Sequence, residues 1–397
     1  MDTRVPAITT SAPERARALQ PLLDQHGPEM DRRGEVTPEV VDALVQADML
    51  RLLLPKSIGG QEMQLVEYAK TIEALGYADA SVAWFINQSN VSSSTSAAAM
   101  PTETAREVFG PPSVGLAWGA RHSRSKAIKV PGGYRVTGSW SFASGGRHTT
   151  WLGCHSAIQN PDGTPHTRGP IIEGKGGRAD DRSFVFLRSE AKIIDDWQVL
   201  GLRATGSDSY SVEDLFIPED QALRIEKGLF EGREPLYSSG FNWVTTMAAV
   251  PLGTARRAVD EAKALIAERT GGIPPQPLGN LPHVRESIAE AETRYGAARA
   301  FLYSAANDFW AELEGGTPAV ETKGRLALAN VNAFRMAAEV TRALFDLIGA
   351  NVIFEGEPLE RLARDALTLN QHMIIARPAL ATYGAMMLGH EHPSPLY

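Results

Sequence analysis

The sequence predicts an α+β fold: an N-terminal helical domain, a barrel-like antiparallel β domain and a C-terminal four-helix bundle. Apolar residues recur at helical spacing over residues 14–110, and they do so again from Phe241 onward. Between Val114 and about Pro218, short β-rich runs alternate with Gly, Pro and Asp clusters. A chain of 397 residues is long for a single core, so we expect several domains. The predicted domains are 1–112, 113–228 and 229–397.

The N-terminal domain carries two clear helix signals. Thr37, Pro38 and Glu39 supply a cap, a first-position proline and a first-turn acid. A second apolar pattern over residues 67–86 predicts one continuous helix. In the serine-rich segment 89–96 that follows, we expect a packing surface of small residues, with a pocket lining as the alternative.

The middle domain is centred on the stretch YRVTGSWSFASGGRHTTW, residues 134–151. Alternating apolar residues from Tyr134 to Phe142 predict a strand with one buried face. The strand is expected to end at Ser144, because the two following glycines give the backbone the freedom for a tight turn. Further strands are predicted at 183–187, 191–194 and 210–217, with an exposed loop or hairpin tip at 159–182.

The C-terminal domain shows four amphipathic stripes at helical spacing, which predict a helical bundle. A loop with four prolines, residues 271–282, follows the first of them. The stripes cover residues 252–266, 288–309, 334–348 and 359–369.

Composition argues against several classes of partner. A net charge of −8 disfavours nucleic acid, whose binding needs a basic patch. We find no run of 18 apolar residues and no apolar segment typical of a secretory signal, so we expect neither a membrane span nor secretion. Cys154, the single cysteine, excludes an intrachain disulfide and suggests a cytoplasmic protein.

Three kinds of chemistry are not expected. The histidines lack metal-ligand spacing apart from the run His390-Glu391-His392, so we predict no metal site. A G-x-G-x-x-G motif is missing, which argues against a nicotinamide cofactor. Ser144, His372 and Asp365 have the residue types of a hydrolase triad, but the chain has no G-x-S-x-G elbow.

Four motifs, in this order, resemble the landmarks of the acyl-CoA dehydrogenase fold. The resemblance covers essentially the whole chain and implies a flavin ring between the β domain and the C-terminal helices. The motifs are Leu54-Pro55 with Gly59-Gly60, residues 140–145 (WSFASG), residues 201–207 (GLRATGS) leading into 212–218 (VEDLFIP), and residues 361–371 (RLARDALTLNQ).

One departure from that family changes the expected activity. A dehydrogenase of this fold needs a carboxylate to remove the α-proton of its thioester substrate. Where most of the family carries a glutamate, this chain reads Gln371-His372-Met373, with no acid until Glu391. Residues 241–252, which correspond to the alternative position of that glutamate, contain no Asp or Glu either. The usual Thr-Glu-Pro run of the β domain is also replaced, by residues 118–123 (WGARHS).

The motifs around Ser144 and His372 resemble instead the two-component flavin-dependent monooxygenases of group D. The resemblance implies an oxygenase component that takes reduced FMN or FAD from a separate flavin reductase. It further implies that the flavin forms a C4a-hydroperoxyflavin with O₂, and we expect this to hydroxylate a small aromatic or heteroaromatic substrate. The resemblance also implies a homotetramer in which subunits complete each other's flavin sites.

The same resemblance assigns roles to two residues. Ser144 is expected to hydrogen-bond flavin N5, where a fixed hydroxyl in a dry pocket slows the loss of peroxide. His372 is expected beside C4a and the substrate, where a neutral imidazole can accept the proton of a phenol. With a thioether or amine substrate, His372 would mainly protonate or position the peroxide.

Further residues are candidates for cofactor or substrate contacts. Arg269 resembles an arginine that reaches a neighbouring subunit's flavin pyrophosphate, although the Gln-Phe-Gly that usually follows it is absent here. The other cofactor candidates are Trp140, Phe142, Thr205, Ser207 and Gln371. The substrate candidates are Trp84, Asn87, Arg121 and His122.

Alternative interpretations remain at this point. Ser144 could be a turn serine that bonds its own backbone, and His372 a buried histidine bonded to Asp365 or a carbonyl. Asp365 in turn has the spacing of an ion pair with Arg361. The alternative functions are an acyl-CoA dehydrogenase or oxidase with an unrecognised base, a sulfur or nitrogen oxygenase of the same fold, and a binding protein without catalysis.

Overall fold

The computed structural model describes residues 10–120, 125–172, 176–224, 234–239 and 246–392. It confirms the predicted order of a helical domain, a β domain and a second helical domain. The helices that precede the β domain, α1 to α6, are Ala12–Ala18, Gln20–Arg33, Pro38–Gln46, Leu65–Ala78, Ala80–Ala99 and Thr102–Phe109.

Asp79 divides the helix predicted over residues 67–86, so the prediction of one continuous helix is wrong. The backbone of Asp79 is extended, with φ −157°, and its carboxylate accepts the N–H of Val82 at 3.0 Å. A carboxylate that caps the first turn of a new helix competes with continuation of the old one. The result is that α5 starts at Ala80 with its own fixed direction.

The β domain is built on one sheet of eight strands. They are, for β1 to β4 and β7 to β10, Leu116–Trp118, Lys126–Val130, Gly133–Trp140, Trp151–Gln159, Asp181–Leu187, Lys192–Ile194, Ser209–Pro218 and Ala222–Leu223. The strand order is β10-β7-β4-β2-β3-β9-β8, and β1 pairs with β4. Neighbouring strands are antiparallel, except that β1 and β2 run parallel to β4. A separate hairpin, β5 (Thr167–Ile172) with β6 (Gly176–Ala179), lies in the segment predicted as a loop or hairpin tip.

Strand β3 leads to the turn that holds Ser144. Its residues Tyr134, Val136 and Trp140 are buried, as the alternation predicts. The pattern fails at Phe142, whose side chain is 61% exposed and whose φ is +61°. The strand ends at Trp140 because the chain has already begun to turn, so Phe142 does not continue the buried face.

Five helices in the described part of the C-terminal domain replace the four predicted. The additional one begins at Arg377, beyond the last amphipathic stripe. A two-stranded hairpin, β11 (Thr270–Gly271) with β12 (Gln276–Pro277), lies in the proline-rich loop. The helices α7 to α11 are Ala249–Glu268, Pro282–Gly315, Val320–Ile348, Pro358–Leu369 and Arg377–Met386.

Helix α5 lies where the three domains meet. Apolar residues of both helical domains share one core, which includes Trp84 and Phe85 of α5 and Phe334 of α9. Almost every side chain of α5 is buried, and the helix contacts β1, α7 and the short turn Arg203–Thr205. A side chain on α5 can therefore reach groups from every domain.

Two kinds of feature are missing from the described ranges. None of the helices combines the length and apolar character that a membrane crossing requires. Within the same ranges, no three His, Cys, Asp or Glu side chains are grouped so that they could hold a metal ion.

Candidate active site

Trp84 brings together Ser144 and His372, which are far apart in the sequence. Its indole Nε1 donates a hydrogen bond to Ser144 Oγ at 3.1 Å. The His372 ring packs edge-on against the same indole, with 5.3 Å between ring centroids and 67° between planes. The three residues come from the β domain, the N-terminal helices and the C-terminal helices, so the site forms only in the folded chain.

The hydroxyl of Ser144 is the outer end of a buried hydrogen-bonded row. Ser207 Oγ lies 3.1 Å from Ser144 Oγ, and Thr205 Oγ1 lies 2.7 Å from Ser207 Oγ. Thr205 Oγ1 also donates to the Leu202 carbonyl at 2.8 Å. Thr205 and Ser207 are buried, whereas Ser144 keeps partial exposure. Only Ser144 in this row can therefore touch a ligand directly.

A tight turn presents Ser144 at the end of its strand. Gly145 has φ +79°, and its N–H donates to the Thr205 carbonyl at 2.8 Å. A Cβ at this glycine would lie 2.1 Å from Cδ2 of Phe85 on α5. Both the left-handed backbone and the close approach of α5 require glycine here, which explains why the sequence motif continues Ser-Gly-Gly.

His372 follows the end of α10 and is held in a defined orientation. Its Nδ1 accepts the backbone N–H of Ile374 at 3.4 Å, and its ring stacks on Phe334 at 6.3 Å. Burial lowers the pKa of the imidazole to about 4, because the charged form would lose its hydration. At neutral pH the ring is therefore uncharged, and with Nδ1 as the acceptor its proton sits on Nε2.

Burial is the cause of the lowered His372 pKa, and no charged side chain of the described residues contributes to it. Asp365, the acid considered as its partner, instead accepts the N–H of Leu202 at 2.6 Å. The predicted ion pair between Asp365 and Arg361 does not form either. Arg361 pairs with Asp79 at 3.9 Å, because the carboxylate that caps α5 lies next to its guanidinium.

The other predicted cofactor residues occupy different environments. Trp140 is buried in the sheet, where it stacks on Tyr210 at 5.6 Å and donates to the His155 carbonyl at 3.1 Å. Phe142 is exposed and meets Trp197 edge-on at 5.9 Å. Gln371 is exposed at the end of α10. Arg269 caps α7, and its Nη1 is buried without a hydrogen-bond partner among the described residues.

The predicted substrate residues are only partly described. Asn87 is buried one helical turn after Trp84, and its Oδ1 accepts the Tyr68 hydroxyl at 3.3 Å. Its Nδ2 has no partner in the parts of the chain that the structure describes. Arg121 and His122 lie outside those parts.

Two supporting roles, those of Leu202 and Asp365, were missed by reasoning from the sequence. Leu202 has φ +53°, a conformation that L side chains rarely adopt, and its carbonyl anchors the row that ends at Ser144. Asp365 holds the Leu202 N–H from a buried position on α10. The sequence does contain a signal for the role of Asp365. This acid falls on the apolar face formed by Leu362, Ala366 and Leu369, which indicates a buried carboxylate.

Comparison with known proteins identifies the family. The acyl-CoA dehydrogenase N-terminal domain matches residues 16–114, and the acyl-CoA dehydrogenase C-terminal domain matches residues 245–377. The chain is 30% identical over 374 residues to indole-3-acetate monooxygenase of Pseudomonas putida, covering 93% of this chain and 91% of that protein. The chain is a flavin-dependent monooxygenase of the acyl-CoA dehydrogenase family.

Further relatives place this monooxygenase among oxygenase components that use reduced flavin. It is 28% identical to HsaA of Rhodococcus jostii, named the oxygenase subunit of a flavin-dependent monooxygenase, with 89% of this chain and 91% of HsaA covered. Among solved structures, XiaF from Streptomyces sp. with FADH2 and glycerol has a TM-score of 0.86 at 23% identity over 97% of both chains. TdsC from Paenibacillus sp. A11-2 with FMN and indole has a TM-score of 0.80 at 21% identity over 97% of this chain and 99% of TdsC. Likeness at these identities demonstrates a common fold.

Proposed function

We propose that this monooxygenase hydroxylates a small aromatic or heteroaromatic substrate bound beside Trp84 and His372, with the flavin ring at Ser144. The double contact of Trp84 carries the proposal, because it places the Ser144 hydroxyl and the His372 ring on one indole. Trp84 and His372 meet edge-on as an aromatic wall, which the fully buried Phe334 supports from the core, and such a wall suits an aromatic ligand. Names of relatives support this class: indole-3-acetate monooxygenase and p-hydroxyphenylacetate 3-hydroxylase.

The residues of this site fit a flavin. Ser144 offers a partly exposed hydroxyl at a glycine turn, where a flat ring can approach the backbone. The unpartnered Nη1 of Arg269 offers a cation for a flavin phosphate, within the subunit or across an interface. The flavin supplies the reducing equivalents that activate O₂. We propose reduced FMN or FAD as the form bound, delivered in the cytoplasm by a separate flavin reductase.

The role of His372 in this proposal is that of a hydrogen-bond donor. Nδ1 already accepts the Ile374 N–H, so the neutral ring presents its N–H at Nε2. A pKa of about 4 also makes the ring a weak base toward a phenol, whose pKa is about 10. We therefore propose that His372 donates a hydrogen bond to an oxygen atom of the substrate or to one that comes from O₂. This replaces the role of a base expected for a phenol.

Asn87 is proposed as a second polar contact for the substrate once ligand binding opens the packing in front of its buried side chain. An amide N–H buried without a partner in the described chain carries a free-energy cost that a ligand acceptor would relieve. Its position one turn after Trp84 on α5 places it on the helix that carries the aromatic wall.

The test is a single-turnover experiment with reduced FMN or FAD, prepared anaerobically, and then mixed with O₂ and a panel of aromatic, heteroaromatic and thioether compounds. We expect hydroxylated product from a member of the aromatic group and hydrogen peroxide in its place when substrate is omitted. Nicotinamide cofactor alone should support no turnover until a flavin reductase is added.

Two results would overturn this proposal. Bleaching of bound oxidised FAD by an acyl-CoA would establish a dehydrogenase that uses a base outside the residues discussed here. If thioethers are oxygenated and no aromatic compound is hydroxylated, the site would be assigned to sulfur oxidation instead.

A further inference from the structure

The turn that carries His372 also exposes a thioether, that of Met373, beside the proposed active site. We propose that Met373 is a modification site, which the enzyme oxygenates to methionine sulfoxide when no substrate is bound. This rests on the proposed function, because the oxidant comes from the reaction of reduced flavin with O₂. The enzyme would then act on one of its own side chains.

His372 and Met373 share one short turn. Met373 begins the turn Met373–Ile375, in which the Ile375 N–H donates to the His372 carbonyl at 3.2 Å. The His372 ring folds over the same turn, because its Nδ1 accepts the Ile374 N–H at 3.4 Å. Consecutive Cα atoms are about 3.8 Å apart, so the Met373 side chain starts one residue from the imidazole.

Met373 borders the open approach to His372. Trp84 and Phe334, both buried, cover the His372 ring, with 5.3 Å and 6.3 Å between ring centroids. On the turn itself, by contrast, Gln371 is exposed and the Met373 side chain is 78% exposed. A ligand that reaches His372 from solvent therefore meets Met373.

Met373 is the most accessible thioether among the described residues. Met387 is 40% exposed and Met63 is half-buried. The other described methionines are buried: Met30, Met49, Met100, Met247, Met336 and Met386. A methionine side chain is unbranched and flexible, and at an exposed position its sulfur can turn toward a ligand beside His372.

The oxygen transfer balances in atoms and electrons. The O–O bond of O₂ breaks, one oxygen atom forms an S–O bond at Met373, and the other leaves as water. The sulfur gives up two electrons in becoming a sulfoxide. Reduced flavin supplies the other two electrons and the two protons of the water, and ends oxidised. This is the stoichiometry of hydroxylation, with the thioether in the place of the substrate.

The experiment is a single turnover of the enzyme with reduced flavin and ¹⁸O₂, with catalase present, followed by tandem mass spectrometry of its peptides. Catalase destroys peroxide that escapes into solution, and the isotope marks oxygen that comes from O₂. Free peroxide should oxidise Met373 only about twice as much as Met387, as their exposures of 78% and 40% indicate.

We expect the labelled sulfoxide at Met373 to exceed that at Met387 by about tenfold or more, because the thioether lies next to the reacting oxygen. An aromatic substrate that is hydroxylated should suppress the label, since it competes for the same oxygen atom. Met373→Leu, which keeps an apolar side chain of similar size, should lower the label on the whole protein to background. Met387→Leu is the matched control and should keep the wild-type label.

The outcomes separate this inference from the proposed function. Label at Met373 and Met387 in proportion to exposure, or label abolished by catalase, would assign the oxidation to free peroxide and overturn the inference. Equal label with and without a hydroxylated substrate would also overturn it, because the thioether would not share the substrate's oxygen. If the wild type forms neither hydroxylated product nor peroxide in reactions without catalase, the proposed function itself is overturned.

Discussion

At the scale of single residues, Trp84 is the side chain on which the site depends. The indole N–H holds Ser144 Oγ, and the indole ring lies against His372. A tryptophan side chain has only two rotatable bonds and a rigid ring. These two contacts therefore fix the relative position of a hydroxyl and an imidazole from different domains. Positioning of this kind is what coupled oxygenation requires, since both groups must face the same ligand.

Replacing His372 by Ala should uncouple the reaction. Loss of the Nε2–H donor leaves a substrate oxygen without its partner, so we expect product formation to fall by about 10²-fold while hydrogen peroxide rises. Product and peroxide are both measured per flavin oxidised in single-turnover reactions.

His283→Ala, at an exposed position on α8, is the matched control for the His372 substitution. It should keep the wild-type ratio of product to peroxide. Coupling that survives in His372→Ala would contradict the donor role, whatever the flavin affinity of the variant.

At the scale of elements, α10 (Pro358–Leu369) ties the parts of the site together. Its Asp365 holds the Leu202 N–H at 2.6 Å, and its Arg361 pairs with Asp79, which caps the helix that carries Trp84. The chain leaves α10 toward His372, three residues beyond its end. Helix α10 therefore supports all three segments that meet at Trp84: the Leu202 turn, α5 and the segment that carries His372.

The close contact of α10 with Gly201 predicts a loss of stability in Gly201→Ala. A Cβ there would lie 2.3 Å from the Arg364 carbonyl oxygen and 2.6 Å from the Asp365 nitrogen. Both are backbone atoms of a helix, so the strain is not relieved by a side-chain rotation. We expect a loss of about 2 kcal/mol in the free energy of unfolding, measured by urea denaturation.

Gly296→Ala provides the comparison for that measurement. Gly296 lies inside α8, and a Cβ there would have no heavy atom within 4 Å. Alanine should be neutral or stabilise the helix by about 0.5 to 1 kcal/mol. Equal unfolding midpoints for Gly201→Ala and wild type would show that α10 and the Leu202 turn are not rigidly joined.

Asp365 predicts a dependence of stability on pH. Burial, followed by the nearby charge of Asp79, raises the pKa of this carboxyl to about 7. Arg361 opposes the shift and Asp31 adds to it. Since the unfolded pKa is about 3.9, the folded state binds the proton more tightly. The protonated Asp365 carboxyl therefore contributes to the stability of the folded state at low pH. This contribution is lost as pH rises from about 4 through 7.

Asp365→Asn should remove this pH dependence while retaining an oxygen that accepts the Leu202 N–H. We expect the difference in melting temperature, variant minus wild type, to become more positive from pH 5 to pH 8. The exposed Asp346→Asn, also on a C-terminal helix, should follow the wild-type profile. Parallel profiles for wild type and Asp365→Asn would show that Asp365 keeps the same charge across this range.

At the scale of the whole molecule, the proposed active site lies at the junction of the three predicted domains. One apolar core runs through both helical domains, and the β domain has a core of its own. The site residues therefore depend on the packing of α5 against both neighbours. A site assembled in this way is lost on unfolding of any one domain.

We predict a homotetramer in solution, with a mass close to four times 42.9 kDa by light scattering. Ile353 and Phe354, between α9 and α10, are 58% and 64% exposed, an apolar surface that an interface would cover. Phe354→Glu should lower the mass at micromolar protein, whereas the neighbouring exposed Glu355→Gln should not. A wild-type mass of a single chain would contradict the assembly.

Local pattern was enough for the order of domains and for most elements. The helices with a strong apolar stripe and the strands β3, β7 and β9 occur where periodicity predicts them. Local pattern failed where one polar side chain or one backbone angle overrode it, at Asp79 and at Phe142. In both places a capping bond or a left-handed turn competes with the periodic structure, and the balance depends on neighbours distant in the chain.

The amino-acid sequence by itself determined the family and the absence of an acid between Gln371 and Glu391, because residue identity at a motif needs no coordinates. Only the tertiary structure decided that Ser144 and His372 share Trp84, and that Thr205 and Ser207 support the serine from behind. The reason is physical: hydrogen-bond direction and the pKa of an imidazole depend on the atoms packed around them. Those atoms come from segments that are neighbours only after folding.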